Sequence, residues 1–121
     1  MKGLGIDLCG VGRIERTMNE AFLQRYFTEE ERAYIESRGK MGAESAAAMF
    51  AAKEAFLKAI GTGIGAGIAL CDVGVSHLPG GRPVYVLTGA AKQKMNEIGA
   101  QHAFLSLTHE ADTAAAVCVL E

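Results

Sequence analysis

Residues 43–60 (AESAAAMFAAKEAFLKAI) constrain this chain more than any other stretch, because they are rich in alanine and stop at Gly61. Alanine has the highest intrinsic helix propensity, and a glycine just past the last periodic residue is a common helix stop. The run is therefore predicted as one long helix. After it the period changes. VGVSHL (73–78) and PVYVLT (83–88) read as strands joined by the turn PGGR, and AFLSLTH (103–109) and TAAAVCVL (113–120) as two more across a tight polar turn. Between these pairs, GAAKQKMNEIGA (89–100) reads as a helix. Upstream, LGIDLC (4–9) is predicted as a first strand, and residues 13–24 as a helix on the stripe Ile14, Met18, Phe22. Thr28 and Glu31 fit a capping box opening a helix that ends near Arg38–Gly39. Strand, helices, two strands, helix, two strands implies an α+β fold with a mostly antiparallel sheet packed against helices, in a single domain over residues 1–121.

Composition narrows the function classes. Half of the 121 residues are hydrophobic and 21% are charged, which supplies a core and excludes disorder. Much of the apolar material is Ala and Gly, so each residue buries little area, and oligomerisation is one remedy. A net charge of −2 argues against a nucleic-acid binder. Cys9, Cys71 and Cys118 are odd in number and lack metal-like spacing, as expected of reduced cysteines in a cytoplasmic protein. No stretch reads as a signal peptide or a membrane span.

On a helical wheel, Phe50, Phe56, Leu57 and Ile60 cover one broad face, with Lys53 inside it and Glu54 and Lys58 along its edge. Glu54 and Lys58 stand at i,i+4, and a surface ion pair worth a few tenths of a kcal/mol is the common account of that spacing. Lys53 fits less well, since an ammonium on an apolar face needs an anion or a route to water. GTGIGAG (61–67) closes a helix, whereas a dinucleotide fingerprint follows a strand and opens one, and no Walker lysine follows it. It is either a helix stop with a loop or a loop that lets a ligand approach the backbone. Asp7 could point to solvent from its strand. Facing Glu54 instead, it would bring together two oxygen ligands of the kind Mg²⁺ takes. His109, at a strand end, reads by itself as a turn or core histidine, and His77 and His102 have no supporting context.

GIDLCGVGRIE (5–15), FTEEE (27–31), FAAKEAFLKAIGTGIG (50–65), GRPVYV (81–86) and SLTHEADTAAAVCVLE (106–121) together closely resemble the holo-acyl-carrier-protein synthases, the short bacterial phosphopantetheinyl transferases. The resemblance implies the phosphopantetheinyl-transferase fold and transfer of 4′-phosphopantetheine from coenzyme A to a serine of apo-acyl carrier protein, releasing adenosine 3′,5′-bisphosphate, in fatty-acid synthesis. It implies Asp7 and Glu54 as Mg²⁺ ligands, Lys58 beside the transferred phosphate, and Glu54 or a metal-bound water as the base. It places Gly61, Thr62, Gly63, Arg82 and Pro83 along the coenzyme A cleft, and His109 near the nucleotide end. It further implies a homotrimer with active sites between subunits. An acidic carrier would need a basic docking surface, for which Arg13, Arg16 and Arg25 are the candidates.

The chain departs from the family pattern at Met49, where an arginine is common, at Leu57, often serine, and at Glu110, often threonine. Met49 removes a phosphate or nucleotide contact, and Glu110 adds a negative charge near an anion site. Alternatives from other classes are a non-catalytic binder of coenzyme A or carrier protein, and a transferase for polyketide or peptide carriers. Lys53 receives no role at this stage.

Overall fold

A computed structural model describes residues 1–63 and 67–121, and the expectation placed on Ile64 and Gly65 of the GTGIG loop lies outside the described residues. The long predicted helix is α4, Gly42–Ile60. It ends at Gly61, whose φ of 90° is left-handed and whose N–H bonds Leu57 and Lys58 carbonyls, a terminus that favours glycine. Alanines 46, 47, 51, 52 and 55 are fully buried along it.

α4 lies across a three-stranded antiparallel sheet ordered β1–β5–β4, made of Gly3–Gly10, Thr113–Leu120 and Ala103–Glu110. Small residues let helix and sheet approach closely: a Cβ on Gly5 would collide with the Ala55 carbonyl oxygen of α4. β5 presents Ala114, Ala116, Cys118 and Leu120 to the same buried layer. A separate hairpin, β2 (Val73–His77) with β3 (Pro83–Leu87), forms the second sheet, and α5 (Gly89–Glu97) links it to β4. The pairings are all antiparallel, as the α+β reading requires.

The stretch read as one helix over residues 13–24 is two: α1, Val11–Thr17, and α2, Glu20–Tyr26. Asn19 makes the break, its side chain accepting from the Phe22 N–H as the N-cap of α2. The apolar stripe continues across the break because Ile14, Met18 and Phe22 all pack on the core, so periodicity alone could not reveal it. The expected capping box is present at the start of α3 (Glu29–Ser37): Thr28 accepts from the Glu31 N–H, and Glu31 accepts from the Thr28 N–H.

That Glu31 carboxylate does more than cap. It is 1% exposed, and Oε1 also accepts from Lys53 Nζ at 2.8 Å, while Oε2 accepts from the Val75 N–H at 2.9 Å. Lys53 is fully buried and completes its donors on the Leu70 and Val73 carbonyls at 2.9 and 3.0 Å. Burial holds the Lys53 ammonium below its ordinary range, against the pull of Glu31. The odd lysine of the wheel is thus the centre of a satisfied buried ion pair joining α3, α4 and β2.

Candidate active site

Asp7 points from β1 toward the C-terminal half of α4, and the surface pair that spacing suggested between Glu54 and Lys58 is replaced by one between Lys58 and Asp7. Lys58 Nζ donates to Asp7 Oδ1 at 2.7 Å and to the Ile6 carbonyl at 3.1 Å. Its hydrogen bond with Asp7, then the Asp7 charge, raise the Lys58 pKa. Asp7 Oδ2 is buried and, among the described residues, has no hydrogen-bond partner. Buried polar atoms are normally satisfied, so an orphaned carboxylate oxygen marks a place where something else binds.

Glu54 is a neighbour of Asp7. Burial first, then the neighbouring Asp7 carboxylate, push the Glu54 carboxyl up to about 7, with Lys58 and Arg13 pulling the other way. Two carboxyls that cannot both ionise comfortably, one of them with a bare oxygen, suit a hard cation, which takes one or two carboxylates and leaves its other positions to water and phosphate oxygens. Asp7 and Glu54 therefore fit Mg²⁺. Among the described residues no cluster of three or more His, Cys, Asp or Glu side chains could hold a metal by protein ligands alone.

The remaining expected residues fall elsewhere. His109, on β4, lines a cavity of about 280 Å³ together with Met49, Gly81 and Pro83, and its Nδ1 lies 3.4 Å from Glu44 Oε2. Arg82 faces a different and larger cavity, about 750 Å³, between β3, α5 and β4. Gly61 and Thr62 form the helix stop, the Thr62 N–H bonding the Leu57 carbonyl at 3.1 Å. Gly63, with φ of 125°, leads away from it. Leu57 is buried in the core, Glu110 is exposed at the β4–β5 turn, and Arg13, Arg16 and Arg25 are exposed on α1 and α2. Arg13 is the one of the three whose charge reaches Glu54. β1 with Asp7 and β4 with His109 are opposite edges of the three-stranded sheet.

On this α+β scaffold a helix and a strand bring two carboxyls and a lysine together beside a glycine stop. The sequence profile of the 4′-phosphopantetheinyl transferase superfamily matches residues 3–118, and the chain belongs to that superfamily. It is 48% identical over 120 residues, covering 98% of this chain and 97% of the relative, to a holo-[acyl-carrier-protein] synthase of Treponema denticola. Among solved structures, holo-[acyl-carrier-protein] synthase from Neisseria meningitidis superposes with a TM-score of 0.90 at 35% identity, over 100% of this chain and 98% of that one. The Helicobacter pylori synthase in complex with coenzyme A superposes at 0.84 and 31% identity, over 98% and 99%.

Proposed function

We propose that this chain transfers 4′-phosphopantetheine from coenzyme A to a serine of an apo-acyl carrier protein of fatty-acid synthesis, dependent on Mg²⁺ held by Asp7 and Glu54, in the cytoplasm. The observation that carries the reading is the buried, unpartnered Asp7 Oδ2 beside Glu54 and Lys58, in a chain whose relatives are synthases of this kind. No helix among the described residues is long and apolar enough to cross a membrane.

Attack of a serine hydroxyl on a pyrophosphate requires negative charge to be neutralised on the phosphoryl oxygens and a proton to be removed. Bound Mg²⁺ would supply Lewis-acid stabilisation of those oxygens. Lys58, more than half exposed and held by Asp7, is free to swing an ammonium onto the same phosphate. Glu54, as the carboxylate that a metal ligand must be, would take the serine proton directly or through a water. At the helix stop a Cβ on Gly61 or Gly63 would meet open space among the described residues, and the His109 cavity, flanked by Gly81 and Pro83, would receive the nucleotide end.

The exposed face of the three-stranded sheet supports a trimer with shared sites. Leu4, Ile6 and Leu8 are 58%, 64% and 66% exposed along β1, in register with Val119, Val117 and Ala115. Contiguous exposed apolar surface of this kind marks an interface.

The test is the mass of an apo-acyl carrier protein incubated with the chain, coenzyme A and Mg²⁺. One phosphopantetheine is gained per carrier, and none once the metal is chelated. Absence of any gain across several carriers sinks the proposal. Docking through Arg13 is read separately. Arg13→Ala raises the carrier KM about tenfold at low salt and flattens its salt dependence, and an unchanged KM across salt removes Arg13 from the docking surface.

A further inference from the structure

We propose that Asp112 is a positioning residue for the carrier: from the β4–β5 turn it caps α1 and so sets the direction in which Arg13 leaves that helix. The proposal rests on the transferase reading and on Arg13 as its docking residue.

α1 spans only seven residues, Val11–Thr17, too few to be stable by propensity, so its direction depends on what ties it down. Its N-cap, Gly10, has no side chain to offer the first turn. Asp112, 100 positions beyond Gly12, takes that part. Its carbonyl accepts from the Val11 N–H at 2.8 Å, and its Oδ1 accepts from the Gly12 N–H at 3.0 Å. Ile14, 2% exposed, pins the middle of the helix in the core. The Thr17 hydroxyl closes the last turn on the Arg13 and Ile14 carbonyls at 3.0 and 3.1 Å. A buried side chain and a tethered end are two fixed points, and two points set the axis of so short a helix.

The turn is shaped to present this carboxylate. β1, β5 and β4 end level, with Gly10 and Glu110 both opposite Thr113. Ala111 has φ of 52°, a left-handed conformation that a residue other than glycine keeps only where its surroundings hold it. Gly12 makes the room: a Cβ there would stand 3.0 Å from Asp112 Oδ2 and 3.3 Å from Arg16 Nη1. Arg13 is the next residue, and its charge acts on both the Glu54 carboxyl and the Cys9 thiol. The capped turn therefore delivers Arg13 on the side of the reacting groups. Asp112 does not line the His109 cavity. Its own negative charge works against an acidic carrier, so what it contributes is geometry.

The experiment compares the chain with Asp112→Ala, which removes the side-chain acceptor, and with Asp112→Asn, which keeps the acceptor without the charge. The carrier KM, the coenzyme A KM and kcat are measured for each, alone and combined with Arg13→Ala. Asp112→Ala is expected to raise the carrier KM about fivefold and to leave the coenzyme A KM unchanged, the size of effect a lost side-chain cap gives. Asp112→Asn is expected to stay within about twofold of the parent, since asparagine caps as well as aspartate. On top of Arg13→Ala, Asp112→Ala is expected to raise the carrier KM no further, because the two residues act as one. An unchanged carrier KM in Asp112→Ala, an equal rise in both KM values, an asparagine variant as poor as the alanine one, or additive losses overturn the role. Amide hydrogen exchange at Gly12 is the readout independent of turnover, expected about fivefold faster in Asp112→Ala and unchanged in Asp112→Asn. If no carrier is modified, the transfer reading fails by itself, and exchange at Gly12 still decides whether Asp112 holds α1.

Discussion

Glu54 shows what one residue's surroundings do to its chemistry. In water its carboxyl would ionise near its ordinary value of 4.5, but here it holds a proton up to about pH 7. The raised value fixes the sign of two linked effects. Its stabilisation of the metal-free fold is complete below the unfolded value and is lost as pH rises through 7. Metal binding runs the other way, since the ligand must be the carboxylate. The apparent Kd for Mg²⁺ is expected to tighten about tenfold per pH unit up to about 7 and then level off, with close to one proton released at the acid end. Calorimetry in buffers of different ionisation enthalpy checks both, and a flat Kd removes Glu54 from the metal. Glu54→Gln is expected to fold normally, to remove the pH dependence and to lower carrier turnover about a hundredfold or more. Retained turnover would exclude Glu54 from the site. Asp7 and Glu54 were legible in the sequence as a conditional pair, because each is a carboxylate among apolar residues. Their convergence was not, because strand and helix meet through β1 glycines whose role as contact points emerges only from packing.

At the scale of elements, α4 owes its placement to a residue that sequence left without a role. Lys53 is tied to Glu31, Leu70 and Val73, so one ammonium holds the helix that carries Glu54 against both α3 and β2. Its partner was hidden because Glu31 already had an explanation as the capping-box glutamate, and nothing local says that a capping residue also neutralises a lysine 22 positions on. Removing one member of a buried pair strands the other. Lys53→Met is therefore expected to destabilise the fold by about 3–5 kcal/mol in urea, and adding Glu31→Gln to recover a large part of that loss. Additive losses in the double variant would mean that the two side chains are not coupled. The same scale explains which boundaries were readable. The Gly61 stop and the Thr28 box have local chemistry, whereas the α1–α2 break rests on Asn19 inside an uninterrupted apolar stripe.

For the whole molecule, the unresolved requirement is a complete site. The carboxyl pair and the His109 cavity stand on the two edge strands of one sheet, β1 and β4, and the face between them is apolar and open. Packing copies face to face would cover Leu4, Ile6 and Leu8 and would bring one copy's carboxyls toward another's cavity. The chain is thus expected to sediment as a trimer, and Ile6→Lys with Val117→Lys to yield a folded monomer of strongly reduced turnover. Sharing of the site has its own signature. Glu54→Gln disables the carboxyl side and His109→Ala weakens the nucleotide side, yet co-expressed subunits of the two variants form some interfaces with both natural residues. Random assembly restores about a quarter of the parental sites, measured as carrier turnover at limiting coenzyme A. If both halves of the site came from one protomer, every subunit in the mixture would stay defective and no activity would return.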